Sequence, residues 1–319
     1  MTVSAARWRR AWRLFGIATF MTAFFPALPA LYVVQPSAQT SAQTSAQTVP
    51  ATGSAPAPAP TMPVGAEQAV KHLQAAYPDH VAGFADGMLV WRDGSRLRVE
   101  DGGAPKSATA WLAAPDLKDI FRFAYPYGGA LVRPLAGHDP GRARPADFFS
   151  KMYGDCRKGA VSRHVVDVAW LPSRSRTTLK VTRINGVADK LAAVSAELDT
   201  LPRSFDRFLL PPAGAYNCRT IAGTEQPSAH GYGIAIDLAV KHAHYWLWSK
   251  PDAAGQPVWR NEIPAEIVHI FEKHGFVWGG RWHHVDTMHF EYRPELAPEL
   301  GPELGPERAR ERARERVGR

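Results

Sequence analysis

The sequence predicts an α+β fold: an antiparallel sheet with flanking helices, plus a small N-terminal elaboration. Three observations carry that expectation. Leu179–Ile184, Ile234–Val240 and Thr287–Tyr292 alternate in the manner of strands. Val187–Leu198 and Pro264–His274 place apolar residues at helical spacing, the second stopped by Gly275. The composition, 45% hydrophobic and 10% aromatic over 319 residues, suits a packed core.

Taken in order, the chain opens with Arg7, Arg9, Arg10 and Arg13 ahead of an uncharged run, Leu14 to Val34. This is the pattern of a secretory signal peptide, and the run is also long enough to span a bilayer, so residues 1–36 are expected to be a signal peptide or a membrane anchor. Ala27, Ala30 and Ala38 are candidate cleavage positions, whereas Pro26 and Pro29 disfavour one uninterrupted helix. In either case the body is expected to be exported, periplasmic or extracellular, and to meet the membrane only through an N-terminal anchor. Residues 37–63, with repeated Ser-Ala-Gln-Thr and an Ala/Pro stretch, are too polar and Pro-rich to form a core and read as a disordered linker.

The N-terminal accessory region, 64–176, begins with a helix over Ala66–Ala76 closed by Tyr77-Pro78. A hairpin about Asp93-Gly94 and a short helix over Asp116–Phe123 follow. The next region, 177–293, runs from the Leu179–Ile184 strand through a turn at Asn185-Gly186 and the helix Val187–Leu198. It ends with the two strands that carry the residues discussed below. Residues 294–319 form a low-complexity tail in which Pro294, Pro298, Pro302 and Pro306 recur at every fourth position, which forbids a continuous helix there.

The formal net charge of +8 invites a nucleic-acid reading, but the body has no basic patch interleaved with aromatics, so no nucleic-acid partner is expected. The positive balance suits an anionic polymer such as a cell wall. Cys156 and Cys218 form an even pair in a chain expected to be exported, consistent with one disulfide or with two buried thiols.

Two stretches concentrate the chemistry: Ser228–Asp237 (SAHGYGIAID) and Trp282–Glu291 (WHHVDTMHFE). Within them His230, Asp237 and His289 supply two imidazoles and a carboxylate. That is a catalytic zinc set, because it leaves a fourth tetrahedral position open for water. An Asp in the middle of an apolar strand is costly to bury unless it is paired or bound to a metal. Asp286, three residues before His289, is placed to act as a general base, or else to begin the strand as a turn residue. Arg219 reads either as an anchor for a substrate carboxylate or oxyanion or as a surface arginine. Ser228 reads as a hydrogen-bond donor to substrate or a ligand, or as a loop serine. His283 and His284 stand near the base and are candidates for orienting substrate or ligands. The Trp278–Trp282 segment either rims the cleft or caps the core. His242, His244, His269 and His274 read as structural. Neither a G-x-S-x-G elbow nor an H-E-x-x-H helix is present.

The pattern Ser228-x-His230-x-x-Gly233-x-Ala235-x-Asp237, followed by Asp286-x-x-His289, resembles the M15 zinc metallopeptidases of the hedgehog/DD-peptidase fold. His274-Gly-Phe-x-Trp-Gly-Gly and Asp286-Thr-Met-His-Phe-Glu291 look most like subfamily C, the branch of bacterial and phage L-alanyl-D-glutamate peptidases. The resemblance covers about Leu179–Tyr292. It implies that His230, Asp237 and His289 bind zinc (Zn2+) and that Asp286 is the catalytic base. Arg219 lies where the family often has a substrate-binding Arg. In the D-Ala-D-Ala branches a Glu usually stands at the position of Asp286. The expected function is therefore an exported zinc-dependent hydrolase of amide bonds in peptidoglycan stem peptides, cutting between L-Ala and D-Glu. The alternatives are a D-alanyl-D-alanine carboxypeptidase with the same zinc site and a non-catalytic, zinc-containing cell-wall-binding module.

Overall fold

Ala66–Ala76 winds as helix α1, with Ala69, Val70 and Leu73 turned inward, and ends where Tyr77 is forced out of helical geometry by Pro78. The computed structural model describes residues 64–102, 106–221 and 226–297. The signal or anchor expected at 1–36, the linker at 37–63 and the tail from 298 onward lie outside them. Three strands follow α1: β1 (Val81–Ala85), β2 (Met88–Trp91) and β3 (Arg96–Arg98), antiparallel in the order β1-β2-β3. The expected turn at Asp93-Gly94 joins β2 to β3. The first turn, Asp86-Gly87, has two successive positive φ angles (51° and 75°), the geometry of a tight hairpin. Sequence reading missed β1 because Gly83 breaks its alternation and a bulge shifts its register there.

Helix α2 (Ala108–Ala113) is capped by the Ser107 hydroxyl. The short helix expected at Asp116–Phe123 is a 3-10 segment, Leu117–Phe121, opened by a reciprocal capping box between Asp116 and Asp119. Helix α3 (Ala146–Tyr153) buries Phe148, Phe149, Met152 and Tyr153. These aromatics join α1, β2 and the later strands in one continuous hydrophobic core that extends to Leu296.

Strand β4 (Val165–Ala169) pairs antiparallel with β5 (Thr178–Thr182), so the ladder joins residues on both sides of position 177. Helix α4 (Val187–Leu198) has the bounds its spacing predicts and buries Val187, Leu191, Val194 and Leu198. A short helix α5 (Asp206–Leu209) leads to the third sheet. That sheet holds β6 (Ala235–Asp237), β7 (Phe276–Trp278) and β8 (His289–Tyr292) in the order β6-β8-β7, all antiparallel, and α6 (Ala265–Lys273) packs beside it. Strand β6 is shorter than the expected Ile234–Val240. After Asp237 the Ala239 amide turns to the Phe208 carbonyl and Val240–His242 closes into a 3-10 turn.

The sheet's alternation sets its two faces. Ile236 and Phe290 pair across strands on the core face, where Phe290 stacks on Phe271 of α6 at 4.0 Å. Burying each such ring contributes about 1.5–3 kcal/mol. The opposite face carries Asp237 directly across from His289, and Ala235 across from Glu291.

Past Arg293 the chain makes one more 3-10 turn, Pro294–Leu296, because Glu295 is buried against Arg293 and Tyr77 and Leu296 enters the core. Cys156 and Cys218 are bridged, 62 residues apart in sequence. The bond fastens the segment after α3 to the loop that leads to His230. Cys218→Ser is expected to lower stability by about 2–5 kcal/mol, read as a lower Tm than that of the oxidised wild type; an unchanged Tm would show that the bridge braces nothing.

Candidate metal centre and active site

The turn that presents His230 is built by its neighbours. The Ser228 hydroxyl accepts from the His230 amide at 3.3 Å and caps the 3-10 turn Ala229–Tyr232. Gly233 closes that turn with φ +72°, and a Cβ there would stand 3.0 Å from the Thr182 amide nitrogen. The chain then enters β6, and strand register brings Asp237 to His289. Asp286 is set by Gly279: the Asp286 amide donates to the Gly279 carbonyl at 3.0 Å. A Cβ at residue 279 would meet the Asp286 carbonyl oxygen at 2.5 Å, so this approach needs glycine.

Three side chains converge. His230 Nε2 lies 3.2 Å from Asp237 Oδ2 and 3.2 Å from His289 Nδ1, and His289 Nδ1 lies 3.1 Å from Asp237 Oδ1. Their ligand atoms all fall within 4.8 Å of one another. The remaining nitrogen of each ring is held from behind. His230 Nδ1 is 2.7 Å from the Ala215 carbonyl, and His289 Nε2 is 3.0 Å from Glu291 Oε2. Both partners only accept, so these nitrogens donate and the inward nitrogens are left to bind.

The electrostatics favour a cation at this point. Burial opposes charge on His289, yet its hydrogen bonds to Asp237 and Glu291 raise its pKa to about 10. Burial also opposes charge on Asp237, and the hydrogen bonds from His230 and His289 nonetheless hold its carboxyl well below the usual range. Two imidazole nitrogens and one carboxylate, with their outer atoms fixed, fit a divalent metal of the zinc type.

Asp286 stands beside this group as a carboxylate with unmet demand. Its Oδ1 is shut off from solvent and has no hydrogen-bond partner among the described residues. Burial pushes its pKa up to about 7; the Asp237 charge adds to the rise, while His289, Arg142 and Arg219 pull against it. Leaving such an oxygen unpaired costs about 1–3 kcal/mol, and an unpartnered buried carboxylate of this kind marks a candidate functional group.

Glu291 is anchored from two sides, by Arg144 at 2.8 Å and Arg293 at 2.8 Å. Burial works against its charge, and Arg144 and His289 lead the groups that keep it ionised. Arg144 belongs to a segment of the N-terminal elaboration that is fastened along the site. The His283 amide donates to the His138 carbonyl at 2.8 Å, the Trp282 indole donates to the Pro140 carbonyl at 2.8 Å, and Asp139 takes both the amide and Nδ1 of His284.

Arg219 is exposed near the site, its carbonyl accepting from the Ser228 amide at 3.0 Å. His284 faces Asp139, and His283 joins the wall through its backbone. Trp278 and Trp282 are buried, with Trp282 5.5 Å from the His289 ring, so their segment forms a wall and not an exposed aromatic rim. His242 and His244 both bond Glu262, and His274 bonds Glu197. Sequence reasoning missed the buttressing work of Glu291 and its two arginines. The signal for Glu291 was present, since it lies two residues beyond His289 on the same strand face. Nothing local marked Arg144.

Residues 222–292 match the M15 peptidase family model described as D-alanyl-D-alanine carboxypeptidase. The matched stretch holds His230, Asp237, Asp286, His289 and Glu291, and leaves out Arg144 and Arg219. It accords with the α+β architecture of a hedgehog/DD-peptidase-like fold and supports a peptidase acting on cell-wall peptides. No curated protein and no solved structure matches the chain.

Proposed function

We propose that this chain is an exported zinc-dependent peptidase that hydrolyses peptidoglycan stem peptides between L-Ala and D-Glu. The observation that carries the reading is the orphaned Oδ1 of Asp286 beside the His230–Asp237–His289 group. A zinc ion held by those three residues would supply a Lewis acid for the scissile carbonyl. Asp286 takes the proton of the attacking water on its carboxylate and returns it to the leaving amine nitrogen. Glu291, held by Arg144 and Arg293, fixes the His289 ring, and Ala215 does the same for His230. Ser228 holds the turn under His230. Arg219 anchors an acidic part of the stem. Export is supported by the N-terminal apolar run and by the disulfide, a bond of oxidising compartments.

A second reading, D-alanyl-D-alanine carboxypeptidase, is favoured by the description of the matching family model. Aspartate at position 286 favours the first. Mass analysis of purified muropeptide digests separates them. Release of the peptide after the first L-Ala is the expected result, loss of terminal Ala supports the second reading, and wall binding with no product at stoichiometric zinc leaves only a binding module.

A further inference from the structure

We propose that Tyr245 and Trp248 form an aromatic platform that holds the sugar ring on which the stem peptide is carried, so that the protein prefers glycan-linked stems to free peptides. This preference rests on the peptidase reading with its cut after the first L-Ala. Trp248 is the only exposed aromatic side chain among the described residues, at 55%, and Leu247 beside it is 54% exposed. The other described tryptophans are buried or half-buried. A large apolar pair left in water marks a surface that a ligand or partner covers when it lies beside a reaction site.

Backbone hydrogen bonds put this pair beside the candidate base. The Trp246 amide donates to the Val285 carbonyl at 2.9 Å and the Thr287 amide to the His244 carbonyl at 2.9 Å, which sets Tyr245 directly across from Asp286. The two bonds flank that pair, the antiparallel arrangement in which facing side chains are closest and share one face. Trp246 packs instead against His284, edge-on at 4.8 Å, and His284 is held by Asp139 at 2.7 Å. A 3-10 turn, Trp246–Trp248, is closed by the Trp248 amide on the Tyr245 carbonyl at 2.8 Å. It brings the Trp248 ring to 5.8 Å from the Tyr245 ring, at 76°. Asp286, half-buried Tyr245 and exposed Trp248 therefore lead outward from the metal group in that order. Chemistry selects the occupant. The first L-Ala of a stem is joined through a lactyl group to a muramic sugar, and one residue of extended chain spans about 3.5 Å. A cut after that alanine brings the sugar beside Asp286, whereas a cut at the far end of the stem leaves it several residues away. The C–H face of a sugar ring is apolar, and laying it on an indole takes both surfaces out of water.

Two probes that lack the scissile bond test this: N-acetylmuramoyl-L-alanine, and D-lactoyl-L-alanine, which keeps the lactyl amide but has no sugar. Binding is measured by calorimetry on the zinc-loaded full chain. The wild type is expected to bind the muramoyl form about 10-fold more tightly, and Trp248→Ala to bring that ratio close to one. Trp248→Phe, which keeps an aromatic face, should retain part of it. Position 248 is exposed, so both variants should melt with the wild type, which separates lost binding from lost folding. Equal affinities in the wild type, no binding of either probe, or an undiminished ratio in Trp248→Ala overturns the proposal. Equal affinities together with Trp248-dependent sedimentation on phosphatidylglycerol vesicles would make the patch a membrane contact instead. Cleavage of N-acetylmuramoyl-L-Ala-γ-D-Glu-L-Lys is scored separately. A Trp248-dependent ratio without cleavage keeps the platform and removes the peptidase reading, and cleavage without such a ratio does the reverse.

Discussion

Asp286→Asn is expected to keep its metal and to lower kcat by about 100- to 10,000-fold. Asparagine has nearly the same shape, so Gly279 and the Asp286 backbone contacts are kept. What is lost is the ability to hold a proton. A neutral amide cannot take up a proton at neutral pH as a carboxylate can. Steady-state turnover on muropeptides, alongside metal content by mass spectrometry, checks this. Full activity in the variant would remove Asp286 from the chemistry, and loss of metal would make it a ligand instead.

The second large effect concerns the metal group and its buttress. His289→Ala removes one of three converging donors, and metal content after dialysis is expected to fall to background. Glu291→Gln leaves all three donors in place but weakens the group that fixes the His289 ring. It is expected to loosen metal binding by about 10- to 100-fold. It also leaves Arg144 and Arg293 without their shared carboxylate, and breaking a buried pair in this way costs about 3–5 kcal/mol. The two variants are thus distinguished by titration: His289→Ala fails to load at any practical zinc concentration, whereas Glu291→Gln loads when zinc is raised and melts earlier. Equal zinc affinity in Glu291→Gln and wild type would show that the buttress does not tune the site.

Much of this was written locally in the chain. Helices α1 and α4 follow directly from apolar spacing, because each lays one face on the core. The pairing of Asp237 with His289 was legible because a period of two fixes which residues share a face once two strands are neighbours. Short or interrupted elements were not legible. Strand β1 is broken by Gly83, and β7 is a three-residue edge buried on all sides, with no alternation to read. The wall segment 138–144 was invisible for a different reason. Its contacts are made across the fold, Asp139 to His284 and Arg144 to Glu291, and no local period records a partner far along the chain. The disulfide, left open by two cysteines alone, is decided by the same long-range packing. The residues that would perform the chemistry were therefore readable from motif spacing, whereas those that hold them in place were not.

The most direct test of the account is digestion of purified muropeptides by the zinc-loaded full chain, followed by chelation and then restoration of zinc, with products identified by mass. Scission after the first L-Ala is expected, with its loss on chelation and its return with zinc. Cleavage that persists undiminished in the chelated protein, or no cleavage of any stem-peptide bond by the zinc-loaded protein, would contradict it.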